Sequence, residues 1–152
     1  MAGRHRGGLM SRKLYSAQEI QEFVEEFRAN GGRPTGLFEG ATLLLLDSGP
    51  EPDGSRHVCP LNFYPANGRY YVFAANDGAD EDPRWLGQLR AEPNATIEVE
   101  GKVLQVTAVE LGAGERGMIY ARQAARNPQF EHFQGMTSRV IPVVALIPTG
   151  DA

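Results

Sequence analysis

The stretch His57-Val-Cys-Pro-Leu-Asn-Phe-Tyr-Pro-Ala-Asn-Gly-Arg-Tyr-Tyr-Val-Phe-Ala-Ala75 decides how this chain folds. His57 to Tyr64 reads as one strand and Arg69 to Ala75 as the returning one, rich in Tyr, Val and Phe, which suit a pleated surface. Pro65-Ala-Asn67-Gly68 between them is a hairpin signal, because Asn-Gly accepts the left-handed backbone of a tight turn. Upstream, Ala41 to Leu46 is a continuous apolar run of strand length, followed by the turn-rich segment Asp47 to Ser55. Downstream, Thr96 to Val99 and Lys102 to Val109 flank Glu100-Gly101 as a second hairpin. Val140 to Ile147 is a last buried strand, interrupted by Pro142.

Helical signals bracket this β-rich middle. Ser16 and Glu19 form a capping box, Ile20, Phe23, Val24 and Phe27 recur at i, i+3, i+4 and i+7, and Gly31-Gly32 supplies the stop. A short helix runs from Pro83, at its permitted first-turn position, to about Ala91. Glu115 to Arg126 and Gln129 to Met136 complete the set. About six mainly antiparallel strands with helices at the start and near the end imply an α+β domain around a small barrel-like sheet. Residues 1–15 lack periodicity and read as a flexible arm ahead of a single domain over 16–152.

Bulk properties narrow the function. With 152 residues, 41% of them hydrophobic, the chain suits one continuous core. A net charge of −4 with scattered basic residues argues against a nucleic-acid surface. Cys59 is the only cysteine, which excludes an intrachain disulfide and gives no sign of an oxidising compartment. Met1 to Lys13 has no apolar stretch and Leu43 to Leu46 is too short to span a bilayer, so the expectation is a cytoplasmic protein without an integral membrane segment.

Few constellations carry chemistry by themselves. His57 and Cys59 share a strand face, but same-face neighbours sit roughly 7 Å apart, too far for a nucleophile and its base. Asp77, Asp80, Glu81 and Asp82 lack calcium-loop spacing and read as a solvated acidic turn. The histidines lack zinc spacing, and no Gly-x-Gly-x-x-Gly motif supports nicotinamide binding. Phe130, Phe133 and Met136 follow helical spacing and could line a pocket with Tyr120 and Trp85, or simply fill the core.

Against these stand the runs Glu26-Phe-Arg-Ala-Asn-Gly-Gly32, Phe38-Glu-Gly-Ala-Thr-Leu-Leu-Leu-Leu46, Tyr71-Val-Phe-Ala-Ala75 with Gly78-Ala79, and Pro83-x-Trp85. Pro60-Leu61, Asn94-x-Thr-Ile-Glu-Val99, Pro128-Gln-Phe130 and Thr137-Ser-Arg-Val-Ile-Pro-Val-Val144 continue in the same register. Over about residues 20 to 148 the chain resembles the deazaflavin-dependent nitroreductase family. The resemblance implies a split β-barrel of the FMN-binding type and a reduced 8-hydroxy-5-deazaflavin coenzyme that gives a hydride to a small hydrophobic enone, quinone or nitro compound. It further implies cofactor contacts at Gly54, Arg56, His57, Val58, Pro60, Leu61, Ala75, Asn76, Gly78, Ala79 and Trp85. A substrate pocket from Leu37, Tyr120, Phe130, Phe133 and Met136 follows, with Tyr120 as the phenol placed to donate a proton. A homodimer is the assembly it suggests.

Two departures concern charge. Where the family carries a Thr-Gly-Arg-Lys-Ser-Gly type pattern for the cofactor's phosphate, this chain has Ser48-Gly-Pro-Glu-Pro-Asp-Gly54. Where Ala-Ser-Lys-Gly-Gly is usual, it has Ala74-Ala-Asn-Asp-Gly78. Each lost charge-assisted contact removes roughly 1.5–3 kcal/mol of phosphate affinity. Flavin mononucleotide or no cofactor are therefore alternatives to the deazaflavin. A cofactor-independent isomerase or cyclase acting on a small apolar metabolite, or a non-catalytic binding protein, are alternatives to a reductase.

Overall fold

The computed structural model describes residues 15–152, apart from the side chain of Leu37; nearly all of the arm expected over 1–15 lies outside the described residues. Helix α1 spans Ala17–Ala29. Its start is the reciprocal cap read from the sequence: the Glu19 N–H donates to Ser16 Oγ at 3.1 Å and the Ser16 N–H to Glu19 Oε1 at 2.9 Å. Its apolar stripe Ile20, Phe23, Val24 and Phe27 packs on Phe38, Leu43 and Leu45. Each such side chain contributes about 1.5–3 kcal/mol on leaving water.

Six strands follow: β1 (Leu43–Asp47), β2 (Cys59–Ala66), β3 (Arg69–Phe73), β4 (Asn94–Val99), β5 (Lys102–Glu110) and β6 (Val143–Asp151). They close into an antiparallel barrel in the order β1-β2-β3-β6-β5-β4, with β4 returning to β1 through Leu45↔Glu98 and Leu46↔Ile97. Closure removes the open edges on which a small sheet would aggregate. The expected split-barrel α+β fold is the one observed.

Side-chain alternation sorts the core into layers. Leu44 and Leu46, Phe63, Val72, Ile97 and Val99, Leu104 and Val106, and Val144 and Leu146 form one cluster drawn from all six strands, the barrel interior. Helix α2 (Arg84–Ala91) adds Trp85, Leu86 and Leu89 to it. The opposite faces of β1 and of β3 and β6 serve the helices. Leu43 and Leu45 meet α1, while Tyr71, Phe73, Val143 and Ala145 meet α3 (Ala113–Arg126) and α4 (Gln129–Gly135).

Several boundaries shift from expectation by two to four residues, among them the start of β1 (Leu43), the ends of β3 (Phe73) and β6 (Asp151) and the starts of β4 (Asn94) and α3 (Ala113); two shifts bear on the site. The last strand begins at Val143 rather than Val140, since Pro142 has no N–H for a ladder; its carbonyl instead accepts from the Ala74 N–H at 2.9 Å. Strand β2 begins at Cys59 rather than His57, because the preceding residues close a turn of their own. Among the described residues no helix is long and apolar enough to cross a membrane.

One close approach fixes α1 to the barrel. A Cβ on Gly32 would lie 2.4 Å from the Gly101 backbone nitrogen, and Gly32 itself holds φ +81°. Two glycines therefore let the end of α1 sit directly on the β4–β5 turn. Arg28 reinforces the junction with a two-pronged bond to Glu98, at 2.9 and 2.7 Å.

Candidate functional site

The ends of β1 and β3 and the start of β2 meet at one mouth of the barrel, where two loops, residues 48–58 and 74–83, face each other. Between them opens a cleft of about 790 Å³. Its apolar wall is made by Pro60, Leu61, Phe73, Ala75, Trp85, Phe130 and Phe133. The outer rim is acidic: Glu51, Asp53, Asp77, Glu81 and Asp82 line it, with Arg84 and His57 the basic side chains among the described lining residues.

The first loop uses up its own donors. Pro50 and Pro52 have no N–H. Gly49 donates to Asp47 Oδ1 at 3.1 Å, Glu51 to the Ser55 carbonyl at 2.7 Å, Gly54 to the Glu51 carbonyl at 2.8 Å and Ser55 to Asp53 Oδ1 at 2.9 Å. The Ser55 hydroxyl donates to the same carboxylate at 2.6 Å. These bonds hold the Asp53 carboxyl below its ordinary range, the Ser55 hydroxyl contributing most. Arg56 closes the loop at its base, forking onto Asp47 at 3.0 and 3.2 Å.

The second loop is shaped by a turn of left-handed backbone, with φ of 48°, 56° and 80° at Asn76, Asp77 and Gly78. Arg139 clamps it from behind. Its guanidinium donates to the carbonyls of Ala74 (3.0 Å), Ala75 (3.0 Å) and Ala79 (2.9 Å) and to Asp82 Oδ1 (3.0 Å). Asp82 also meets Arg90, and Asp80 accepts from the Thr137 hydroxyl at 2.7 Å. Part of the acidic run is thus structural. Across the mouth, Arg84 at the head of α2 is ion-paired with Glu51 of the first loop.

Behind the apolar wall lies an aromatic stack. Phe73 meets Phe130 at 5.3 Å and Tyr120 at 5.9 Å between ring centroids, and Phe130 meets Phe133 at 5.5 Å, all edge to face. Tyr120 is buried, 6% exposed, and its hydroxyl donates to the Phe130 carbonyl at 2.5 Å. Burial pushes this phenol up to about 12, against the partial opposition of Arg116 and Arg139. Arg116 stacks over the Tyr120 ring at 4.6 Å and ties α3 to the Ile141 carbonyl at 2.8 Å.

The structure gathers His57, Pro60, Leu61, Ala75, Asn76, Trp85, Phe130 and Phe133 at the cleft, as the sequence reading expects. The other positions lie elsewhere. Tyr120, Gly54, Arg56, Val58, Gly78, Ala79 and Met136 are not among the described lining residues. Arg56 is turned to Asp47, and Val58 packs toward α1. Gly78 backs onto Met136, whose sulfur would lie 2.8 Å from an added Cβ. Ala79 contributes a carbonyl to Arg139. Leu37 belongs to the single 3₁₀ turn Gly36–Phe38, and its side chain is outside the described residues, while Phe38 is core. Sequence reasoning missed Arg139 as the clamp and Glu51–Arg84 as a cross-mouth pair. Lone arginines carry no periodicity, and each partner is distant in the chain.

A deazaflavin coenzyme poses two separate demands here. Its flat ring needs an apolar slot with small side chains, which Pro60, Leu61 and Ala75 supply. Its phosphate needs free N–H groups or unpaired cations. The first loop offers little of either: the N–H groups of residues 49, 51, 54 and 55 are engaged, residues 50 and 52 have none, and Arg56 in the loop and Arg84 across the mouth each already hold a carboxylate. Among the described residues the ring end has its slot, and the phosphate end meets few free donors.

Comparison with known proteins gives a consistent picture. The family model described as F420H(2)-dependent quinone reductase matches residues 19–148. A Mycobacterium tuberculosis relative named for F420H(2)-dependent quinone reduction, Rv3178, is 30% identical over 105 residues, covering 69% of this chain and 88% of the relative. Among solved structures, an F420-H2 dependent reductase (FDR-A) superposes with a TM-score of 0.63 at 27% identity, over 69% of this chain and 93% of its own. A chain described as a domain-swapped dimer gives 0.65 at 24% identity, over 87% and 99%, and shares the fold.

Proposed function

The chain belongs to the F420H(2)-dependent quinone reductase family, and on that premise we propose that its barrel-mouth cleft carries a deazaflavin-dependent reduction of a small hydrophobic quinone or related acceptor. The observation that supports this most is the apolar wall of Pro60, Leu61, Ala75, Phe73, Phe130 and Phe133 at the mouth of the barrel, within the residues that match the family. Pro60, Leu61 and Ala75 would hold the ring. Phe130, Phe133 and Trp85 would hold the acceptor over it. When bound, the reduced coenzyme supplies the hydride.

What the protein itself contributes is placement. Two flat partners held face to face in a preformed slot react without the entropy loss of a free encounter, so few chemically active side chains are required. The acceptor oxygen takes its proton from solvent at the open rim. Tyr120, whose hydroxyl is committed to the Phe130 carbonyl, is given a positioning role: it fixes α4 and thereby the Phe130 and Phe133 rings. A homodimer is retained as part of this proposal.

The test is an anaerobic assay in which reduced F420 is mixed with a soluble quinone and reoxidation is followed by the return of deazaflavin absorbance. Protein-dependent, saturable reoxidation is expected. A rate equal to that of the protein-free control at every quinone concentration, both with reduced F420 and with the reduced deazaflavin that lacks its phosphate and acidic tail, refutes the proposal.

A further inference from the structure

We propose that the mouth of this cleft is an anion filter, admitting a deazaflavin ring on an uncharged side chain and disfavouring the same ring carrying a phosphate. The inference rests on the deazaflavin reading above and concerns which form of the coenzyme the site selects.

Three independent observations converge on it. First, the donor inventory of the loop at residues 49–55 is largely spent: two prolines lack N–H groups, and Gly49, Glu51, Gly54 and Ser55 direct theirs at Asp47 or at carbonyls and carboxylates of the same loop. No run of adjacent free N–H groups is left in this loop to form a nest for an anion. Second, the hydroxyls and guanidiniums at hand are engaged. Ser55 donates to Asp53, Ser48 to Gln88, Arg56 to Asp47 and Arg84 to Glu51. Third, five carboxylates line the cleft against one guanidinium and one histidine, with Asp82 paired from behind by Arg90 and Arg139, and the loops carrying them face each other.

Displacement does not rescue the phosphate. If it took Arg84 from Glu51, it would exchange one anion for another and leave the Glu51 carboxylate beside it, only 19% exposed and now unpaired. An uncharged hydroxylated side chain meets the opposite situation, since carboxylates at the rim accept its O–H groups. The same residues that repel a phosphate therefore hold a neutral polyol.

The experiment is an equilibrium titration of the full chain, read by deazaflavin fluorescence, with oxidised F420 and with its riboside lacking the phosphate and acidic tail. Both are run at about 0.02 M and about 0.3 M salt. The riboside is expected to bind about tenfold or more tightly than F420 at low salt. Raising the salt should tighten F420 and leave the riboside nearly unchanged. A Glu51→Gln, Asp53→Asn variant, with folding checked by circular dichroism, should narrow the gap. Tighter binding of F420 than of the riboside at low salt, weakening as salt is added, overturns the filter while leaving the deazaflavin reading intact. Equal affinities at both salt levels also overturn the filter. Binding of neither ligand overturns the deazaflavin reading and the filter with it.

Discussion

Arg139 shows how a single side chain can set the shape of a loop it does not belong to. It satisfies three carbonyls and one carboxylate of the segment 74–82 from a position 17% exposed. Arg139→Ala should lower stability by about 2–4 kcal/mol, since the partners lose a charged donor together. Lysine should recover little, because one ammonium cannot reproduce the fork. Urea denaturation measures the loss, and faster amide exchange at Gly78 and Ala79 locates it. Tyr120 makes a second prediction. Its pKa is raised from 10.0 to about 12, so the folded state holds this proton more tightly than the unfolded state. The associated stability is present below about pH 10 and is lost as pH rises toward 12. Tyr120→Phe should remove that alkaline slope and cost about 1–3 kcal/mol at neutral pH, as the Phe130 carbonyl loses its donor.

At the scale of elements, the sequence was most legible where periodicity and turn chemistry agree. The capping box of α1, the Asn67-Gly68 and Glu100-Gly101 hairpins and the Tyr, Val and Phe content of β3 carry their structure in adjacent residues. The onset of β6 was misplaced because an apolar run continues through Pro142, and composition does not reveal which residue first finds a ladder partner. At the site, the apolar wall was legible as helical spacing plus small residues, while the roles of Tyr120 and Arg139 depend on contacts made across the fold. The Gly32–Gly101 junction was equally hidden, since the two stops were read separately. Gly32→Ala should destabilise by about 3 kcal/mol or more, because the backbone would have to separate at a positive φ. Gly40→Ala is the control. It also has a positive φ but meets nothing within 4 Å, and it should cost about 1 kcal/mol. Thermal or urea melts of the two variants decide it.

For the molecule as a whole, barrel closure makes β6 the strand on which everything depends. It pairs with β3 through Tyr71↔Ala145 and with β5 through Ala108↔Leu146, and it separates the interior cluster from the aromatic layer under the cleft. Native-state hydrogen exchange should find the slowest amides at Tyr71, Val72, Val144 and Ala145, opening only with global unfolding. A chain ended before Val143 should fail to fold cooperatively, as judged by the loss of a sigmoidal denaturation curve. The cleft loops should exchange orders of magnitude faster than these strands.

The loop at residues 48–55 is fastened where it leaves the barrel. Asp47 and Arg56 clasp at its base, Pro50 and Arg56 pair across it, and its inner turn is closed by its own hydrogen bonds. Such a segment behaves as an exchangeable cassette: the barrel needs its two ends held together, and between them only Ser48, which donates to Gln88, and Glu51, which pairs with Arg84, are described as reaching the helix beside it. A graft of a basic, phosphate-binding sequence between Asp47 and Arg56 that keeps Ser48 should therefore change the melting temperature little while converting ligand charge preference. In this architecture coenzyme choice can be rewritten within eight consecutive residues, without any adjustment to the wall that holds the ring.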